Sequence, residues 1–172
     1  SSYCPNAVFK TTFFKHSKIF LMRKNLLQAE TKEEILSRIN KLNVQTQRQW
    51  GKMNLNQMLR HNSDAMKQVY GEIKIAPRGN WFLKQLMRYI ILKTDMPTPK
   101  EKAETFPEIN MVAKNINPPD FDSERKQLYE LVKKFPAKEL HPTSPLLGKM
   151  SNEEWARLMY THLDHHLKQF GV

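Results

Sequence analysis

The chain has 172 residues, with 28 Lys and Arg against 17 Asp and Glu, so it carries a net charge of +11. That length suits one domain with a core large enough to need no covalent staple. The single cysteine, Cys4, excludes an internal disulfide scaffold and the cysteine-rich zinc fingers and ribbons. Only 5 glycines are present, in neither GxGxxG nor GxxxxGK(S/T) order, which argues against a glycine-rich phosphate loop.

Residues 1–21 contain no acid, and Lys10, Lys15 and Lys18 alternate with Phe9, Phe13, Phe14 and Phe20. The segment reads as a basic tail, either transit-peptide-like or an extension ahead of Met22, the first methionine. Lysines interrupt every stretch that a secretory signal needs apolar, so a cytoplasmic protein is expected. The domain is placed at 22–172. The longest apolar run near the middle, Tyr89 to Leu92, is far too short to span a bilayer, and no membrane partner is expected.

The first helix is expected at about 31–42, with Thr31 and Glu34 forming a capping box and Ile35, Leu36, Ile39 and Leu42 at helical spacing. A second follows at about 54–70, with Asn54 as its cap and an apolar face of Leu55, Met58, Leu59, Met66 and Val69. The third begins after Gly79 and carries Trp81, Phe82, Leu86, Tyr89, Ile90 and Ile91, apolar enough to predict a well-buried helix. From Asp95 to Phe121 the prolines at 97, 99, 107, 118 and 119 predict an irregular crossover along a bundle. A fourth helix starts near Asp122. The fifth is capped by Ser151 with Glu154, lined by Trp155, Leu158, Met159, His162, Leu163, His166 and Phe170, and closed by Gly171. All five glycines then fall at helix boundaries, and no alternating strand pattern or internal repeat appears. The expected fold is all-α, a four-helix bundle with an additional helix.

Histidines are the chemically interesting residues. His162 and His166 are four apart on the fifth helix, neighbours on one face, and share that face with Trp155 and Met159. His61 lies on the second helix between Met58 and Ala65. Together they make a three-His set with an open position, the arrangement of a catalytic zinc-type site. His162 with His165 is also an i, i+3 pair, but His165 turns away from the Trp155–Met159 face. Spacing alone fits core histidines satisfied by hydrogen bonds better than it fits a metal site. Asp64, one turn after His61, is a weaker candidate for a supporting carboxylate or general base. His141 reads as an ordinary loop histidine, and Cys4 lies in the tail.

Two stretches carry a family resemblance. One runs from Trp50-Gly-Lys-Met-Asn-Leu-Asn-Gln-Met-Leu-Arg to His61. The other runs from His141 through Trp155 and on to His162-Leu-Asp-His-His166 and Gly171. With Thr105-Phe-Pro-Glu108, these resemble the DinB/YfiT-like superfamily of metal-dependent enzymes, in particular a branch known only as a domain of unknown function. The resemblance covers roughly residues 30–172. It implies a four-helix bundle, often dimeric. It also implies a divalent metal, zinc or nickel, held by His61, His162 and His166. Superfamily members include thiol-dependent S-transferases and a thiol-dependent isomerase. The expected function is therefore a metal-dependent enzyme that activates a small thiol or water for transfer or hydrolysis. The alternative is a non-catalytic metal-binding or stress-related protein.

The positive charge is diffuse. Lys84, Arg88 and Lys93 lie on the third helix, and Arg125, Lys126, Lys133, Lys134 and Lys138 on or after the fourth, mixed with Glu124 and Glu130. No nucleic-acid motif accompanies them, so a basic nucleic-acid-binding bundle ranks third. A basic rim suits an anionic small molecule, such as a carboxylate-bearing thiol.

Overall fold

The computed structural model describes residues 23–94, 100, 106–136 and 139–172. The basic segment 1–21 with Cys4, much of the proline-rich stretch and Lys138 lie outside the described residues. The fold is all-α, with five α-helices among the described residues: α1 (Ala29–Lys41), α2 (Leu55–Val69), α3 (Trp81–Lys93), α4 (Phe121–Lys133) and α5 (Asn152–Gln169). α2 packs on α4 and α5, α1 packs on the same two, and α3 lies against α5. The shared core includes Ile35, Ile39, Met58, Leu59, Leu128, Trp155 and Leu163, none more than 1% exposed.

Local sequence accounts for most helix ends. Asn54 caps α2, and Gln57 reaches back to close a capping box. Ser151 and Glu154 form the expected box on α5, with Glu154 N–H donating to Ser151 Oγ at 3.2 Å and Ser151 N–H to Glu154 Oε2 at 2.9 Å. Asp120 caps α4 through the Asp122 N–H.

The start of α1 differs from expectation. Thr31 is inside the helix, which begins at Ala29 after Gln28. The Gln28 side chain organises this end, accepting from the Thr31 hydroxyl at 2.9 Å and the Asn25 N–H at 3.3 Å. Glu34 is left free of capping and pairs with Lys24 and Arg38.

α3 is not well buried. Leu92 is its one buried residue, while Trp81 is 73%, Phe82 71% and Tyr89 62% exposed. A helix apolar on every side gives no direction to its packing; here a charge supplies it. The Arg88 guanidinium reaches Glu154 of α5 and the Lys149 carbonyl. It holds Met87 and Ile91 against the core and leaves the aromatic stripe outside.

A third difference lies before α5. Strands β1 (Thr143–Ser144) and β2 (Gly148–Lys149) pair antiparallel as a minimal hairpin, too short to show alternation in sequence. Gly148, with φ +76°, therefore belongs to this hairpin and not to a helix boundary. Within the proline-rich stretch, Pro107–Ile109 form a 3-10 turn packed on α2.

Candidate metal centre

The capped α2 presents its inward face to α5, and His61, 2% exposed, lies on that face. Across from it, α5 places His162 and His166 on successive turns. The three rings form a nearly equilateral triangle. Their centroids are 5.0 Å apart for His61 and His162, 4.9 Å for His61 and His166, and 4.8 Å for His162 and His166. One nitrogen from each lies within 4.8 Å of the other two.

Hydrogen bonds decide which nitrogens these are. His61 Nδ1 lies 3.1 Å from the Ile109 carbonyl, and His166 Nδ1 lies 2.9 Å from Gln169 Oε1. An oxygen of either kind can only accept, so Nδ1 carries the proton in both rings and Nε2 is bare. The Gln169 amide cannot be turned round, because its Nε2 donates to the Trp50 carbonyl at 2.9 Å. His162 keeps some exposure as a residue, yet its Nε2 is wholly shielded and has no hydrogen-bond partner among the described residues.

Burial drives all three imidazoles toward the neutral form. It lowers His61 against the pull of the Ile109 carbonyl, with a smaller push from His165. It takes His162 well below the ordinary value, reinforced by the neighbouring charges of His166, His61 and His165. His166 falls to about 3, again chiefly through burial and then through His61. A pocket that keeps imidazoles unprotonated with lone pairs turned inward repels protons and suits a cation held by nitrogen. Orphaned His162 Nε2 is the atom such an ion would satisfy. A carbonyl or amide oxygen behind each of the other two is the usual support of a metal-ligating histidine.

His165 is not part of this group. Its ring packs edge-on against Trp50 at 4.7 Å. Asp64 is not brought into the triangle either. It is half-buried, 3.9 Å from Lys67, and burial raises its carboxyl despite that lysine. Asp164 turns to Arg38, at 2.8 Å, and to Lys168. His141 is exposed and bonds within its own loop to the Thr143 carbonyl at 2.7 Å.

Two supporting elements were not anticipated from the sequence. Gln169 was detectable in principle, since it lies three residues after His166 on the same face. The Ile109 carbonyl was not, because a backbone oxygen delivered by a proline-rich loop has no side-chain signature.

Residues 21–171 match the sequence model of a family described as a protein of unknown function, DUF1569. No curated protein matches the chain, and no solved structure does.

Proposed function

The chain belongs to the DUF1569 family, and from that premise we propose that it is a metal-dependent enzyme whose divalent ion, zinc or nickel, is held by His61, His162 and His166. The observation that carries this reading is the inward-facing nitrogen triangle. Two of its members are locked as Nδ1–H tautomers by Ile109 and Gln169, and the third has a buried nitrogen without a partner among the described residues. The DinB/YfiT-like resemblance supports the same three ligands. When bound, the ion supplies a Lewis acid that lets a small thiol or water ionise near neutral pH.

The protein's own residues set the conditions for that chemistry. His61 and His166 present Nε2 in fixed orientation, so little ordering remains to be done when an ion arrives. Three neutral ligands leave the ion's full positive charge in place, which favours an anionic nucleophile over a neutral one. Three protein ligands leave a position open for it. Asp64, one turn after His61 with its carboxyl raised by burial, is the weaker candidate for proton transfer, since it lies outside the triangle. The net positive charge draws anionic thiols toward the protein. A homodimer, as the resemblance implies, has an obvious apolar surface available in the α3 stripe.

Elemental analysis of tag-free protein beside His61→Ala tests the site. About one equivalent of zinc or nickel in the wild type, lost in the variant, is expected. A wild type that holds no metal after reconstitution overturns the proposal. Retained metal with no turnover across thiol and hydrolytic substrate panels would instead favour a non-catalytic metal-binding protein.

A further inference from the structure

A cleft of about 390 Å3 lies where the turn after α2, the start of α3 and the β1–β2 hairpin meet. That is within the size range of small-molecule sites. None of the three clustered histidines lines it. Gln68 in its wall is seven residues beyond His61 on α2, about 10 Å along the helix. Ile75, also in the wall, belongs to a small apolar cluster with Ala65 and Ile109, the residue whose carbonyl holds His61. This apolar layer separates the cleft from the histidines.

The lining has a definite chemistry. Lys74 comes from the turn and Lys84 from α3, while no Asp or Glu lines the cleft. Among the described residues neither lysine pairs with an acid. Gln68 is only 8% exposed, yet its side-chain amide has no hydrogen-bond partner among the described residues. The polar atoms of this amide keep contact with solvent, so a ligand oxygen in the cleft can take the place of water on them. Ile73, Pro77 and Pro145 supply an apolar wall beside these polar groups.

We propose that this cleft binds a small organic anion, an oxyacid head on an apolar body, with Lys74 and Lys84 holding the charge and the Gln68 amide donating to a head oxygen. The site is separate from the histidine triangle and needs no metal.

Titration of the full-length protein with benzoate and with phenyl phosphate, followed by calorimetry, tests it and separates carboxylate from phosphate heads. Saturable binding of one or both is expected, with inorganic phosphate weaker and neutral phenol not binding. Lys74 is exposed and Lys84 half-buried, so Lys74→Gln/Lys84→Gln will fold, as circular dichroism will verify. It should weaken binding about tenfold or more. Lys133→Gln/Lys134→Gln and His162→Ala should leave binding unchanged. Absence of saturation at millimolar probe overturns the proposal. So does equal loss in both lysine pairs, which would mean diffuse attraction, or loss in His162→Ala, which would place the anion at the triangle.

Discussion

Gln169 reads the orientation of His166: its Oε1 accepts the His166 Nδ1 proton at 2.9 Å while its Nε2 is tied to the Trp50 carbonyl at the same distance. A single amide thus connects a ligand candidate on α5 to the backbone entering α2. Gln169→Leu keeps the volume and removes both bonds. Metal affinity should fall by about 10- to 100-fold, measured by competition with a chromophoric chelator. Gln169→Glu, which still accepts from Nδ1, should retain most of the affinity. Equal affinity in wild type and Gln169→Leu would show that the amide merely packs.

Gly51 is part of the same arrangement. Its φ is +81°, and a Cβ there would collide with Gln169 Nε2. Gly51→Ala should therefore loosen metal binding in the direction of Gln169→Leu. It should also cost roughly 1–3 kcal/mol of stability from the backbone alone, read by urea unfolding.

The two histidines at 165 and 166 are adjacent in sequence and opposite in setting. His166→Ala should abolish tight metal binding, whereas His165→Ala should leave the stoichiometry intact, although it removes the edge contacts of that ring with Trp50 and His166. Metal content of the two variants, prepared in parallel, decides this. Equal loss would overturn the ligand assignment.

Those adjacent histidines also mark how far the sequence could be read. Helical spacing placed His162 and His166 on the Trp155–Met159 face, and the rings do converge with His61 there. Caps with a side-chain signature, at Asn54 and Ser151, were legible for the same local reason. Thr31 was misleading because Gln28, three residues earlier, supplies the competing acceptor. α3 was misleading because apolar content measures only how much surface wants burying. Its orientation depends on Arg88 finding Glu154, 66 residues away in the chain. Support from the Ile109 carbonyl is likewise tertiary, with no local trace.

Acid should weaken the metal-free protein in a defined window. His166 titrates near 3 when folded, against about 6.5 when unfolded. Below 6.5 the unfolded chain binds a proton that the folded one refuses, so stability falls as pH drops from 6.5 toward 3. His61 and His162 are lowered too and act in the same direction. From pH 6.5 to 5, His166 alone accounts for roughly 2 kcal/mol. Urea unfolding of chelator-treated protein should show this loss, and His166→Ala should make the profile shallower, leaving the part due to His61 and His162. A wild-type profile flat over that interval would contradict the buried, neutral ring.

Trp81 and Phe82 are large apolar residues that do little for the fold of one chain, since about seven-tenths of each is exposed. Trp81→Ser/Phe82→Ser should change the unfolding free energy by no more than about 0.5 kcal/mol per site, because neither residue leaves a cavity. Leu163→Ala, at 1% exposure, should cost about 2–5 kcal/mol by contrast. The same double variant tests the stripe as a contact between copies. If α3 joins two chains, sedimentation should show a concentration-dependent dimer in the wild type and a monomer in the variant. Stability of the double variant should then be lower only at protein concentrations where the wild type is paired. A large loss at every concentration would mean that the aromatic stripe is buried within the chain itself, and the exposed position of α3 would be wrong.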